Sequence, residues 1–384
     1  MLVSAKVTDE PGVLGPSSAL DRLSARLAAR LDQRPLRRYS HRSAGQFSPA
    51  RARSRTPIRT AAMPRDVTHL HWVTNGFLSV EGLGRLPGPL VWTLHDMWAF
   101  TGGCHYSDGC ERYTQACGRC PVLGSDGEAD LSRQTWERKR DSWAKLDLTL
   151  IASSRWMARL AGSSALFQNR RVEVIPNCVD PDFFRPSDRS AARAAFSLPQ
   201  SRRVVLFGAL VAAGDRRKGF HLLIAALQRV ASRVPRDSLS LAVMGMSEPE
   251  AAIPVPFQTH YLGVIGSETR LALAYNAADM YVSPSLQDNL PNMVMEAMSC
   301  GTPCVAFDTG GMPDLIEHNL SGYLARPFDV EDLARGIEAM LTDEQYRRSL
   351  GEGARRAVLE RFAPEVIGRQ HVNFYEGILA RHHG

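Results

Sequence analysis

The chain alternates between short apolar stretches of strand length and longer amphipathic stretches of helix length. The short stretches are rich in β-branched residues and are apolar at consecutive positions, which is typical of parallel strands buried on both faces. They cover residues 90–96, 148–154, 172–177, 203–209, 239–245, 279–285 and 303–309. Helical patterns lie between several of them, as in residues 219–234 and 267–279. Strands alternating with helices predict a doubly wound α/β fold.

The segment "NCVDPDFFRPSDRS", residues 177–190, contains prolines and shows no hydrophobic periodicity. It predicts a linker between two sheets, with the break near residue 187. A chain of 384 residues is long enough for two domains. We therefore expect a first domain over residues 1–186 and a second over 187–362. A carboxyl-terminal helix over 363–384 is expected to pack back toward the first domain.

A helix is predicted directly after the strand at 279–285, in the stretch "QDNLPNMVMEAMSCGTP". Pro291 suits a first helical position, and Asp288 or Asn289 can cap the helix. Gly301 ends it before the next strand. Open α/β sheets bind ligands at the carboxyl ends of their strands, and free N–H groups at a helix start favour phosphate. The stretch therefore predicts a phosphate-binding site.

The same stretch contains two carboxylates, Asp288 and Glu296, which we expect on either side of this site. A carboxylate can accept hydrogen bonds from two hydroxyls, so the pair suits a ligand with sugar hydroxyls on both sides of a diphosphate. The predicted ligand is a nucleotide-sugar. The alternative is that Asp288 only caps the helix and that Glu296 faces solvent.

A second candidate site lies in "FGALVAAGDRRKGFHLL", residues 207–223. A strand, a turn that contains glycine and a helix beginning near Lys218 would bring Arg217 or Lys218 next to the diphosphate. Cations there stabilise the negative charge that develops on the leaving group. The alternative is an exposed turn whose basic residues have no such role.

A third candidate is His95 in "VWTLHDMWAFTGG", at the end of a strand that we expect to be the fourth of the amino-terminal sheet. Asp96 follows it and a Gly-Gly loop comes soon after, which favours a functional site over a buried core histidine. His69 and His71 mark another strand end, whose loop we expect to line the acceptor side.

From about residue 66 to its end, the sequence resembles the retaining glycosyltransferases of family 4. That family has the GT-B fold, in which two Rossmann-like domains face each other across a cleft. The stretch "SLQDNLPNMVMEAMSCGTPCVAFDTGG" is similar to the E-x7-E signature of the family. The resemblance implies that Asp288 contacts the donor sugar and that Glu296 contacts the nucleotide ribose. It also implies donor-binding positions at Asn289, Leu290, Pro291, Gly208, Gly310 and Gly311.

Two positions depart from the family pattern. The side chain of Asp288 is one methylene shorter than that of the glutamate usual there, so the identity of the donor sugar is not fixed by the motif. Ala209 stands where an arginine is common. Lys218 matches the lysine of the family. Arg217, in preference to Arg216, is expected to replace the missing arginine.

The resemblance implies sugar transfer from a nucleotide-sugar to a glycan or polyprenyl-linked acceptor, with retention and without a catalytic metal. The setting it implies is bacterial cell-surface polysaccharide synthesis. The resemblance also implies that His95 corresponds to a family histidine that contacts the donor sugar. The one Asp-x-Asp triplet, residues 180–182, is interrupted by proline within the predicted linker. A nucleotide-sugar epimerase, a sugar phosphorylase and a non-catalytic relative are the alternatives.

Residues 1–60 contain twelve Lys or Arg residues and four acids, whereas the whole chain has a net charge of +6. Nucleic acid is disfavoured as a partner because no zinc-finger spacing, RNP-like strand or heptad-extended basic helix accompanies this charge. An anionic membrane surface suits the segment, and a plain solvated surface is the alternative. The sequence shows no secretory signal and no run of about 18 apolar residues. We expect a cytoplasmic protein in peripheral contact with the membrane.

Four of the seven cysteines, Cys104, Cys110, Cys117 and Cys120, lie in a loop at 101–121. Disulfides are rare in a reducing compartment, and clustered thiols there suit a tetrahedral zinc site that pins a long loop. The spacing contains one C-x-x-C instead of two, so free thiols and two disulfides stay as alternatives. No cofactor for catalysis is expected.

The chain opens with "MLVSAKVTDEPGVLG", which resembles the second strand and loop of related enzymes, and a helical pattern follows at 17–33. A nucleotide-binding half usually opens with a strand, a glycine-rich turn and a helix. We therefore expect that the first β-α unit is missing and that a sheet edge is exposed. On this expectation the 384-residue chain is poorly soluble and nearly inactive, and about 30 to 40 upstream residues restore both properties.

Overall fold

The computed structural model describes residues 1–5, 10–16, 18–54, 56–208, 215–249 and 253–383. The chain divides into two compact units: Met1–Val174 together with Asn373–Gly384, and Ile175–Val372. Each unit is built on a parallel sheet with helices, so the predicted α/β class is confirmed. Within the ranges given above, every helix is too short or too polar to cross a lipid bilayer.

The first unit contains a sheet of four parallel strands in the order β1-β2-β3-β4. The strands are β1 (Thr68–Leu70), β2 (Leu90–Leu94), β3 (Leu148–Ala152) and β4 (Val172–Val174). The helices are α1 (Ala19–Gln33), α2 (Thr56–Ala61), α3 (Val80–Leu83), α4 (Leu131–Trp143) and α5 (Arg155–Ser163). The rings of Trp92, Trp143 and Phe167 pack together in its core, with centroids 5.4 to 6.5 Å apart.

One expectation for the first unit is wrong, and a second, the opening strand, falls partly on residues 6–9, which lie outside the described residues. The strand that precedes His95 is β2, the second strand of the sheet in chain order and not the fourth. The described residues of the amino-terminal segment, 1–5 and 10–16, contain an isolated bridge between Leu2 and Leu14 and no strand. Leu14, one partner of this bridge, is 45% exposed.

The second unit contains six parallel strands in the order β10-β9-β8-β5-β6-β7. The strands are β5 (Arg203–Gly208), β6 (Leu239–Met244), β7 (Gln258–Gly263), β8 (Met280–Ser283), β9 (Cys304–Phe307) and β10 (Gly322–Ala325). The helices are α6 (Arg189–Ala194), α7 (Phe220–Val230), α8 (Glu268–Ala277), α9 (Asn292–Ser299), α10 (Met312–Leu315), α11 (Val330–Thr342) and α12 (Glu344–Arg361). The last helix, α13 (Pro364–His383), belongs to this unit up to Val372 and to the first unit from Asn373.

The central strand β5 is buried on both faces. Val204 and Leu206 pack in the cluster on one face of the sheet, whereas Val205 and Phe207 pack in the cluster on the other. Side chains of a strand alternate between the two faces, so a strand covered by helices on both sides needs apolar residues at consecutive positions. This requirement produces the apolar stretch visible in the sequence at 203–209.

The boundary between the units lies between Val174 and Ile175, earlier than the break predicted near residue 187. The predicted linker is part of the second unit because Val179 and Phe184 are buried in its core. The backbone N–H of Val179 also donates to the carbonyl of Phe362 at 3.0 Å. Proline-rich sequence without periodicity therefore marks an irregular but packed segment here.

Candidate active site

The candidate donor site lies where the strand order of the second sheet reverses. β5 is the middle strand of the order: β6 and β7 lie on one side of it, and β8, β9 and β10 lie on the other. The carboxyl ends of β5 and β8 therefore flank a topological switch point, which is where open α/β sheets bind ligands. The loop after β5 supplies Arg217 and Lys218, and the loop after β8 supplies Asp288.

Asp288 is the centre of this site. It is 7% exposed, and its Oδ2 accepts from Lys218 Nζ at 2.6 Å and lies 3.8 Å from the Arg217 guanidinium. A buried carboxylate is costly unless it is paired and hydrogen-bonded. The two cations and the N–H of Asn289, 3.1 Å from Asp288 Oδ1, meet that requirement. The structure thus brings together three of the predicted residues.

Backbone contacts hold the two loops against each other. The N–H of Leu286 donates to the Arg217 carbonyl at 2.7 Å, and the Arg217 guanidinium donates to the Gln287 carbonyl at 2.9 Å. Gly219 is in the left-handed region, with φ +71°, and a Cβ there would lie 1.8 Å from the Pro284 carbonyl oxygen. Only glycine allows this approach, so the cations are held at fixed positions beside Asp288.

A third loop, which follows β9, supports the Asp288 backbone. Gly310 has φ +60°, and a Cβ on it would lie 2.2 Å from the Asp288 carbonyl oxygen. The N–H of Gly311 donates to that same oxygen at 3.0 Å. The two glycines were predicted to bring backbone close to a ligand, and in the structure they lie directly against the backbone of Asp288.

Glu296 lies on α9 and accepts a hydrogen bond from the hydroxyl of Tyr275 at 2.7 Å. Burial raises the pKa of the Glu296 carboxyl, and the Tyr275 hydrogen bond opposes that rise. Tyr275 was not predicted, because it lies on α8 in "LALAYNAAD" and resembles an ordinary core residue of an amphipathic helix. Glu296 is therefore partly buried and hydrogen-bonded within the unit instead of standing free in solvent.

The predicted start of α9 needs correction. Pro291 is the N-cap residue and Asn292 the first helical one, and no side chain caps the helix. The Asp288 carboxylate is turned to the cations of the β5 loop instead of to the helix, which removes the interpretation of Asp288 as a mere cap. Leu290 is buried in the hydrophobic core, so its side chain contributes packing.

Gly208 ends β5, and a Cβ on it would lie 2.2 Å from the terminal methyl carbon of Met293 on α9. Its carbonyl oxygen accepts from the Tyr281 hydroxyl at 3.4 Å. The next six positions, 209–214, lie outside the described residues. These include Ala209, where the family commonly has an arginine.

In the first unit, His95 follows β2 and His71 follows β1, the neighbouring strand. His71 Nδ1 and His95 Nε2 lie 3.0 Å apart and share a hydrogen bond, and their rings stack with centroids 5.3 Å apart. Burial lowers the pKa of His95, although the nearby Asp96 carboxylate acts in the opposite direction. The two predicted strand ends thus form one histidine pair.

A buried network supports the loop of His95. Asp96 accepts from Trp72 Nε1 at 3.1 Å and pairs with His105 Nδ1 at 2.7 Å, and His105 Nε2 is 2.9 Å from the Ser48 hydroxyl. Burial alone would raise the pKa of Asp96, but the contacts with His105, Trp98 and Trp72 lower it overall. His105 was not predicted, because it lies in the cysteine-rich loop instead of at a strand end.

The four cysteines of the loop line one cavity. All are free thiols, and Cys104, Cys117 and Cys120 are buried. Burial raises the pKa of all three, to about 12 for Cys117. Across the described ranges, no three His, Cys, Asp or Glu side chains are grouped so that they could hold a metal ion. The thiols as they stand do not form a ligand set, and structural zinc stays a prediction.

Comparisons with known proteins indicate the class of protein that this chain resembles. Residues 201–343, which include Arg217, Lys218, Asp288 and Glu296, match the family described as "Glycosyl transferases group 1". The uncharacterized glycosyltransferase MJ1607 of Methanocaldococcus jannaschii is 23% identical over 335 residues, 81% of this chain and 83% of the relative. D-inositol 3-phosphate glycosyltransferase of Mycobacterium bovis is 27% identical over 286 residues, 72% of this chain, which spans 54% of that relative's length.

Among solved structures, Anabaena HepE in complex with UDP matches with a TM-score of 0.59 at 18% identity, over 95% of this chain and 85% of HepE. This likeness concerns the fold, which is of the GT-B type. Residues 201–343 are thus similar to the group 1 glycosyltransferase domain, and the comparisons support glycosyltransferase activity.

Proposed function

We propose that the protein transfers a sugar from a nucleotide-sugar donor to an acceptor hydroxyl, with retention of configuration. One observation carries the proposal: Lys218 and Arg217 converge on Asp288 at the switch point of the second sheet, with Lys218 Nζ 2.6 Å from the carboxylate. A phosphate group would find two fixed cations there, and a sugar hydroxyl would find a carboxylate oxygen next to them.

Each side chain then has a distinct role. Lys218 and Arg217 bind the diphosphate and stabilise the charge that grows as it departs. Asp288 accepts hydrogen bonds from the donor sugar, and Glu296 accepts them from the ribose hydroxyls. The family resemblance, the burial of Asp288 and the partial burial of Glu296 support this division.

Retention follows if the acceptor hydroxyl attacks the face from which the diphosphate leaves. The bond between the anomeric carbon and the phosphate oxygen breaks, the bond to the acceptor oxygen forms, and a phosphate oxygen takes the acceptor proton. The protein mainly binds, orients and stabilises charge. Its two cations supply the positive charge at the leaving group, so we propose that the reaction proceeds without a catalytic metal. His95 contacts the donor sugar in this scheme.

We propose a cytoplasmic role in assembling a bacterial cell-surface polysaccharide, with a glycan or polyprenyl-linked sugar as the acceptor. The basic charge of the amino-terminal segment supports an acceptor at an anionic membrane surface. The UDP complex of HepE makes a uridine nucleotide the first donor to test.

The test begins with a thermal-shift panel of UDP, GDP and ADP sugars, since a ligand of the folded state raises the melting temperature. Release of nucleoside diphosphate is then measured with and without acceptors that include D-inositol 3-phosphate and polyprenyl-linked sugars. Lys218→Gln should lower acceptor-dependent release by about a hundredfold. Arg216→Gln is the matched control, because Arg216 is exposed in the same turn, and it should retain full activity.

Other outcomes would identify the alternative functions. Diphosphate release that needs no acceptor, or consumption of inorganic phosphate, would replace the transferase with an epimerase or a phosphorylase. Donor binding without any turnover would indicate a non-catalytic relative. Equal losses in the Lys218 and Arg216 variants would remove the specific role of Lys218.

A further inference from the structure

Helix α1 turns a row of leucines toward solvent. Leu20, Leu23, Leu27 and Leu31 are 77%, 53%, 47% and 58% exposed. Their spacing of three and four residues places them along one side of the helix. A surface helix normally buries such a stripe against its own domain, so this exposure requires a separate explanation.

A different side of α1, about 100° around the helix from the leucines, packs on the unit. Ala28 and Asp32 are the buried residues of the helix, and the Asp32 carboxylate accepts from the backbone N–H groups of Arg51 at 2.6 Å and Ala52 at 3.1 Å. A Cβ on Gly76 would lie 2.6 Å from the Ala28 backbone. These contacts fix the rotation of α1, so the leucines cannot turn inward without breaking them.

Arginines run beside the leucines. Arg22, Arg26, Arg30 and Arg34 follow one another at intervals of four residues and are exposed, so they form a second row along the helix. The row continues into a surface depression whose lining includes Arg34, Arg37, Arg38, Arg51 and Leu31. Apolar and cationic side chains therefore share one outer surface.

We propose that this surface, the leucine and arginine rows of α1 with the adjoining depression, lies in the interface of an anionic lipid bilayer. The leucines enter the acyl boundary while the arginines meet lipid phosphates, as in helices that lie in the membrane plane. The occupant is a bilayer because it offers both an apolar interior and a negative surface. This inference is independent of the sugar-transfer chemistry.

Two other occupants fit less well. A symmetric second copy would cover the leucines but would bring two arginine rows together, and like charges at short distance are unfavourable. Nucleic acid would pair with the arginines but would leave the leucines exposed to water or against phosphates. Of these three occupants, only the bilayer offers the leucines an apolar environment and the arginines negatively charged partners.

The proposal is tested by sedimentation with vesicles of phosphatidylcholine, with and without phosphatidylglycerol. Wild-type protein should bind the anionic vesicles and not the neutral ones. Leu20→Gln with Leu31→Gln should weaken binding about tenfold or more. The matched control is Val264→Gln with Leu320→Gln, since these side chains are 71% and 59% exposed, and it should bind like wild type.

Arg26→Gln with Arg30→Gln should weaken binding about thirtyfold, because each of the two basic residues contributes about 1 kcal/mol near an anionic surface. Unchanged circular dichroism and melting temperature show that each variant is folded. The proposal is overturned if wild type ignores anionic vesicles, or if the α1 leucine pair and its control behave alike. It is also overturned if the leucine variant converts a dimer to a monomer without changing vesicle binding. Full competition of RNA with the vesicles, together with no effect of the leucine changes, would overturn it as well.

Discussion

Glu296 and Tyr275 illustrate how a single contact sets the chemistry of a residue. Burial favours the neutral acid and raises the pKa of the Glu296 carboxyl above its ordinary value, while the hydroxyl of Tyr275 stabilises the carboxylate. In the proposed function the ionised form accepts hydrogen bonds from ribose hydroxyls. Donor affinity should therefore decrease as the pH is lowered, and this decrease should begin above the ordinary glutamate pKa of 4.5.

Tyr275→Phe removes the hydrogen bond that opposes this rise, so the pKa of Glu296 should increase further. The acid limb of donor binding should then move to higher pH, while affinity at alkaline pH changes by less than about threefold. Calorimetric titration of the donor across pH measures both. Tyr346→Phe is the control, because the Tyr346 hydroxyl pairs with Asn319 at an exposed position. A uniform loss of affinity without a shift of the limb would contradict the assigned contact.

At the level of elements, the donor site is assembled by three loops that follow β5, β8 and β9. The loop after β5 supplies the cations, the loop after β8 supplies Asp288, and the loop after β9 supports the carbonyl of Asp288 through Gly310 and Gly311. Because the loops contact one another through backbone atoms, a change in one should displace the carboxylate of another.

Gly310→Ala should impair donor binding by this route. A left-handed φ of +60° costs alanine about 1 kcal/mol, and the collision of its Cβ with the Asp288 carbonyl adds to that. Gly263→Ala is a matched control: its φ is +65° but no atom lies within 4 Å of the added Cβ. We expect both variants to lose stability in urea unfolding, and only Gly310→Ala to weaken donor affinity, by about tenfold. Equal effects on affinity would mean that the loop contact is unimportant.

The sequence predicts the central elements well because their burial leaves a strong pattern. β5, β6, β8 and β9 lie inside the second sheet and appear as apolar stretches. The predictions missed β7 and β10, which are the two edge strands of that sheet. Most residues of β7 are only partly buried, so the strand keeps polar residues such as Gln258 and His260 and lacks that pattern.

The candidate site shows the same division. Asp288, Glu296, Lys218 and Arg217 lie in local motifs, and a motif can be recognised from neighbouring letters. The partners of these residues cannot be recognised from the local sequence. Tyr275 is 21 positions from Glu296 and becomes its neighbour only when α8 and α9 pack. His105 reaches Asp96 in a similar way, through the irregular loop that follows β2.

At the scale of the whole molecule, buried ionisable groups of the first unit should set the pH dependence of its stability. The first unit buries Lys139 completely on α4; Lys139 donates to the carbonyls of Trp98 and Thr101, and its Nζ lies 3.7 Å from the Trp98 ring centroid. Burial lowers the pKa of Lys139 to about 7. The same unit contains the buried thiols, whose pKa values burial raises. These two kinds of group give opposite pH dependences of stability.

The sign of each contribution follows from proton binding. Between about pH 7 and 10.5 the unfolded chain holds a proton on Lys139 that the folded chain has released, so folding stability rises with pH. Above about pH 9 the unfolded thiols lose protons that the folded thiols keep, so stability then falls. Three buried thiols outweigh one lysine once the unfolded thiols titrate, so the first unit should be most stable at mildly alkaline pH, near the start of the thiol range.

Tryptophan fluorescence can follow this unit alone, because all six tryptophans lie in Met1–Val174: Trp72, Trp92, Trp98, Trp136, Trp143 and Trp156. In urea unfolding with a chelator present, the wild-type unfolding free energy should rise by about 1 to 2 kcal/mol between pH 7 and 8.5. Lys139→Met should be less stable overall, because two buried carbonyls lose their donor, and should lack this rise while keeping the decline above pH 9. A parallel pH dependence of the two proteins would show that Lys139 remains protonated in the fold.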